Sequence, residues 1–163
     1  SISWEGLKGT FKNKNYTLNG QWITVDNPFI ETTIEAPELN LATKIQSKSD
    51  GVYKILTFKG QYYGSPFDVK GSVNLIQGGP DVNLTAQGSL DLKNLALLVP
   101  NLQEKIQSYK PQGIVAINAV VIGKFKDWRK GQLTATGSSQ AITLNGFRLH
   151  DVLLLVDKCW LTG

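Results

Sequence analysis

The chain has 163 residues, 41% of them apolar and 18% charged, with a formal net charge of +4. That length fits one domain, 1–163, with enough chain to bury a core. No apolar run reaches the roughly 18 residues of a membrane span, and one cysteine, Cys159, rules out an intrachain disulfide and a cysteine-built zinc site.

The basic residues are spread singly, which argues against a nucleic-acid partner. Their one dense cluster is Lys124, Lys126, Arg129 and Lys130, around Phe125 and Trp128. It reads either as a solvated loop or as a patch that meets anionic head groups. The chain contains no methionine and its start lacks a signal-peptide pattern. It is therefore read as a processed chain or a segment of a longer protein.

Val, Ile, Thr, Tyr and Phe recur in short runs punctuated by Gly, Asn and Asp, so the expected fold is mostly β. Leu7 to Val25 reads as two strands around a turn at Asn13–Asn15, with a parity change near Gly20 or Trp22 that a bulge would explain. The stretch from Pro28 to Gln46 alternates loosely and is interrupted by Pro37, which predicts an edge strand or two short ones. Glu31, Glu35 and Glu38 then read as charges that protect an edge. SKSDG at 47–51 predicts a turn, Val52 to Tyr63 a long strand, and Gly64–Pro66 another turn.

The next pair alternates cleanly. Phe67, Val69, Gly71, Val73 and Leu75 share one face, as do Val82, Leu84, Ala86, Gly88, Leu90 and Leu92 after the turn QGGPD. One apolar and one polar face is the pattern of an antiparallel sheet wetted on one side.

Leu95, Leu98, Val99, Leu102, Ile106 and Tyr109 then fall on a single helical stripe. The spacing predicts one short amphipathic helix near 94–109, capped by Asp91 or Asn94 and stopped by Pro111 and Gly113. Pro100 inside it predicts a kink, or a second helix starting there. Leu95, Leu98, Leu102 and Ile106 are expected to form a plug. Ile114 to Ile122 is apolar on both faces except Asn118, so the helix is expected to cover it. Leu133 to Gly137 and the stretch from Ala141 are the last strands, with a turn or bulge at Asn145–Gly146 before VLLLV.

A local pattern recurs without a fixed period: GLKGTF, FKGQYYG, VKGSVNL, AQGSLDL, VIGKFKD and ATGSSQA each set a glycine inside a strand. It implies short, strongly bent strands.

Reaction chemistry finds little footing. His150 is the only histidine and no GxSxG elbow accompanies it. Cys159 reads as a packed or free thiol, the acids are spread singly, and the glycines at 78–79 lack a following Lys-Ser/Thr. Asn15 and Asn83 match the glycosylation pattern, which also arises by chance. No catalytic residue, metal or cofactor is expected. What remains is apolar strand surface. It is either the core of a closed barrel or an open trough for acyl chains, with Val69, Val73, Leu75, Leu84, Leu90, Ile117, Val121, Leu133 and Leu144 as the lining.

The second half of the chain resembles the AsmA-like proteins, relatives of the TamB group. The resemblance rests on Gly88, Leu90, Leu92 and Pro100; on Gly113, Val115, Ile117, Ala119, Val121 and Gly123; on Gly131, Leu133, Ala135 and Gly137; and on Gly146, Phe147, Leu149, Asp151 and Val152. It implies an antiparallel, strongly curved sheet forming a groove or incomplete barrel. It also implies part of a bridge-like periplasmic protein anchored in the bacterial inner membrane, which handles phospholipid or other acyl-chain lipid and takes part in outer-membrane assembly, in contact with envelope proteins. The alternative reading is a β-rich scaffold module that binds a protein partner through exposed strand edges.

Overall fold

Alternating strands joined by short turns must pair with their sequence neighbours, and the protein is built this way throughout. The computed structural model describes residues 1–11, 13–49, 51–75, 80–124 and 131–160. They form one antiparallel sheet of ten strands in sequence order: β1 (Ile2–Phe11), β2 (Lys14–Ile23), β3 (Phe29–Glu35), β4 (Leu39–Ser49), β5 (Val52–Tyr62), β6 (Ser65–Asn74), β7 (Asp81–Asp91), β8 (Gln112–Lys124), β9 (Gln132–Leu144) and β10 (Phe147–Trp160). The sheet is open; β1 and β10 are its edges and do not pair with each other.

Turn chemistry sets the register. Tyr63–Gly64 and Asn145–Gly146 are two-residue loops with positive φ at both positions, the backbone that matches strand twist in a hairpin. The first strand starts five residues earlier than its pattern predicts. Its bulge lies in β1 between Trp4 and Leu7, where Gly6 has φ of 62°, and not near Gly20 or Trp22.

The segment around Pro37 is two strands, and both lie inside the sheet. This corrects the edge reading of its glutamates. Glu31 sits between Gln21 and Lys44, with Lys44 Nζ 3.3 Å away. Glu38 accepts from Lys14 Nζ at 2.8 Å and from the Tyr16 hydroxyl at 3.1 Å.

Those contacts belong to a seam along one end of the sheet. Lys14 also donates to the Tyr63 hydroxyl at 3.1 Å, Asn94 Nδ2 donates to the Tyr63 carbonyl at 2.8 Å, and the Asn145 N–H donates to the Tyr109 carbonyl at 2.7 Å. Turns from β2 to β10 are tied together there. The bond to Glu38, and next that to Tyr63, raises the Lys14 pKa above the ordinary lysine range. Glu38 is held below 4.5 chiefly by its bond to Lys14, and Tyr16 is raised first by burial and then by its bond to Glu38.

The connection from β7 to β8 is helical but broken at Pro100, as its sequence predicts. A 3₁₀ turn (Leu92–Asn94), capped by the Asp91 side chain, leads into α1 (Leu95–Leu98); a second 3₁₀ turn (Pro100–Leu102) leads into α2 (Gln103–Ser108). Val99 before the proline leaves the helical region with φ −128° and ψ 73°.

This connection covers only the start of β8, on its inner face, which corrects the expected docking in part. Leu92 and Ala96 are buried, as is Val115 of β8, and Leu98 lies beside Ile117, but no residue of α2 is buried, and Leu102 is 51% exposed. The outward face of β8 is left open, with Ile114 63% exposed and Val120 and Ile122 also exposed. The stripe is too short and too broken at Pro100 to lie along a thirteen-residue strand.

Two outcomes follow. Leu102→Asp should shift stability by no more than about 0.5 kcal/mol, as an exposed substitution does, while Val115→Asp, at a position 5% exposed, should cost several kcal/mol, both read from urea melts. Glu38 is more acidic folded than unfolded, so its contribution is present above pH 4.5 and is lost as pH falls through its lowered value. Thermal melts should therefore separate wild type from Glu38→Gln near neutral pH, and the two should converge in acid.

Candidate apolar groove

Pairing places one residue of every strand in a single row across the sheet. It runs Leu7, Leu18, Ile34, Leu41, Gly60, Phe67, Gly88, Ile117, Gly137, Leu154. From β4 onward, large side chain and glycine alternate strictly. Two rows along on this face, Ile30, Ile45, Ile55, Gly71, Leu84, Val121 and Leu133 continue the character.

The opposite face is mostly polar, apart from exposed Ile114, Val120 and Ile122 on β8 and Leu153 and Leu155 on β10. Its matching row reads Asn19, Thr33, Ala42, Lys59, Asp68, Gln87, Asn118, Thr136, Leu155. The sheet thus has one apolar side about ten strands wide.

The glycines are required by close approach. A Cβ on Gly60 would collide with the Asn40 carbonyl, and one on Gly88 would lie 2.5 Å from the Pro66 carbonyl oxygen. Each large neighbour can then lean over the bare backbone, and Phe58 and Phe67 meet there with ring centroids 5.9 Å apart. Along β8 the apolar-face residues are half-buried or buried while the outward ones are exposed. No second layer packs over the middle of this face among the described residues, so these side chains are covered by one another, as on the inner side of a bent sheet.

Part of this face lies beside the helical connection. Leu98 lines an open pocket of about 230 Å³ with Tyr62, Phe67, Ala86, Leu90 and Ile117, and its accessible lining is carbon. A wider cleft of about 780 Å³ crosses β3 to β8 on the other face of the sheet, behind the glycine row. Lys59, Asp68, Gln87 and Asn118 are among its walls, and these point to the polar face, so that cleft is not an acyl site.

Seven of the nine expected lining residues lie within paired strands on the apolar face: Val69, Val73, Leu84, Leu90, Ile117, Val121 and Leu133. Leu144 joins them by register through a bulge in β9 opposite Gly113–Ala116, and Leu75 follows the end of β6, 53% exposed. Of the plug residues, Leu95, Leu98 and Ile106 are half-buried and Leu102 is not. Lys124 ends β8 exposed, opposite Asp81; Lys126, Arg129 and Lys130 lie outside the described residues. His150 is an exposed residue of β10, paired with Ala141.

Comparison with protein-family models, with curated proteins and with solved structures finds no match. The surface area therefore carries the argument. The chain exposes 11192 Å² for a mass of 17.9 kDa, where a compact monomer of that mass would expose about 8000 Å². No side chain is fully buried among the described residues, and the residues that form a core are Val82, Leu92, Ala96 and Val115.

Sequence reading missed Ile34, Leu41 and Leu154 as members of the row. The signal was present in FKGQYYG, AQGSLDL and ATGSSQA, whose glycines are Gly60, Gly88 and Gly137. Gly88→Val should cost about 1–3 kcal/mol in urea unfolding, as overpacking does. Gly9→Val, with nothing within 4 Å of its new Cβ, should change stability by less than about 0.5 kcal/mol.

Proposed function

We propose that this chain is a non-enzymatic groove segment that shields the acyl chains of lipids, and that its setting is the bacterial envelope. The observation that carries the reading is the apolar face that runs through all ten strands with no protein layer over its middle among the described residues. An acyl chain laid along the glycine row gains about 0.8 kcal/mol per buried methylene, so half a dozen methylenes yield about 5 kcal/mol. Head groups remain in water, and no bond is made or broken.

The AsmA-like resemblance agrees with this geometry in kind. Both describe an open, glycine-punctuated antiparallel sheet with an apolar side. On that resemblance the parent is a periplasmic protein anchored in the inner membrane, acting in phospholipid transport or outer-membrane assembly.

A second reading is favoured by one observation. β10 is an unpaired edge carrying apolar residues on both faces, with Leu153 71% and Leu155 66% exposed on the outer side. A partner strand added there would give a scaffold module that binds protein by its edge.

Native mass spectrometry after exposure to a phospholipid extract separates the two. The groove reading expects retained phospholipid, lowered at least tenfold by Val73→Asp or Leu84→Asp, with the β spectrum unchanged by circular dichroism. Absence of bound lipid from every extract would overturn it.

A further inference from the structure

The helical connection is amphipathic, yet its apolar residues do not all serve the sheet. In α1, Ala96 is buried and Leu98 faces the carbon-lined pocket, while Leu97 between them is exposed. Val99, Leu102 and Tyr109 are open as well. Four large apolar side chains on one short segment are thus left a third to a half exposed.

Beside them lies a small cleft of about 250 Å³, between the first 3₁₀ turn, α2 and the start of β8. Lys93 and Lys110 line it, with Gln107 and Gln112 and the apolar Ala96, Ile106 and Pro111. Neither ammonium has a carboxylate within salt-bridge distance among the described residues. Between 92 and 110 the segment carries three lysines, Lys93, Lys105 and Lys110, against one acid, Glu104.

We infer that this connection docks the protein on an anionic lipid bilayer. A head-group phosphate sits between Lys93 and Lys110, with the two amides as further donors, and Leu97, Val99 and Leu102 enter the boundary between head groups and acyl chains. A free anion would use the lysines and leave the leucines in water; an apolar protein groove would use the leucines and leave two ammoniums unmatched. A bilayer with anionic lipid satisfies both. Docking there brings the membrane to the outer side of α1, one residue away from the side chain that lines the groove pocket. The inference names the membrane that supplies the proposed groove, and in that respect it rests on the groove reading.

The test is co-sedimentation of the whole chain with phosphatidylcholine vesicles, with and without phosphatidylglycerol. Binding is expected to need phosphatidylglycerol and to weaken as salt rises. The pair Lys93→Glu and Lys110→Glu should lower it roughly tenfold or more. Lys54→Glu with Lys70→Glu, an equal charge change on the polar face of the sheet, should lower it far less. Leu97→Asn with Leu102→Asn removes the apolar contact without touching charge and should also weaken binding.

Equal losses from both lysine pairs would reduce the effect to net charge and overturn the inference. So would full binding by the helical variants, or capture of an acidic protein with no vesicle binding. Loading of a monomeric fluorescent fatty acid reads the groove separately. Docking variants that load normally but bind vesicles like wild type sink the docking site alone; a wild type that docks but never loads sinks the groove.

Discussion

A sheet with no second layer can make a core only by bending onto its own side chains, and it can bend only where side chains are missing. The row through Gly60, Gly88 and Gly137 supplies that. Leu41, Phe67, Ile117 and Leu154 alternate with these glycines, so each large residue has a bare neighbour to lean over. A Cβ at Gly60 would strike the next strand's backbone, which is harder to move than a side chain. Two rows away a single glycine, Gly71, sits between Ile55 and Leu84. Bending, half-burial and the absence of a filled interior are thus one property seen at three scales.

That property limits stability. Folding must offset about 1–2 kcal/mol of backbone entropy per residue, and the described residues do so with four buried apolar residues and a large half-buried face. Backbone ladders and the polar seam from Tyr16 to Asn145 carry a larger share than in a layered protein of this length. The excess surface of about 3000 Å² over a compact monomer reflects a sheet left open on both faces. An apolar face of this extent is costly to leave in water, and among the described residues no element covers its middle.

The features legible in the sequence were those set by local chemistry. Period-two alternation gave β6 and β7, Asn145–Gly146 gave a turn or bulge that is a hairpin turn, and Pro100 gave a kink or new start where α1 and α2 part. Features set by pairing were not legible. The glycine motif was visible six times, but that three of its copies share one row follows only from register, which depends on bulges such as those at Gly6 and Leu56. The stripe of the helical connection was legible as well, but its partner was not. Amphipathicity shows that a face wants cover and does not say which surface provides it, so Leu102 read as core and stands in solvent.

The edges of the sheet differ for a related reason. β1 carries Glu5 and Lys8, and a bulge at Gly6 that breaks its pairing, devices that blunt an edge against further strands. β10 opposes it with Val152 to Val156, apolar on both faces. An outward Leu155 does nothing for a groove on the other side, so the groove reading leaves part of β10 without a role. A neighbour strand at β10 would continue the row beyond Leu154 and flank Leu153 and Leu155 on the outer side. Lipid shielding and strand addition are then compatible at this edge, because a strand added there lengthens the apolar face without closing it.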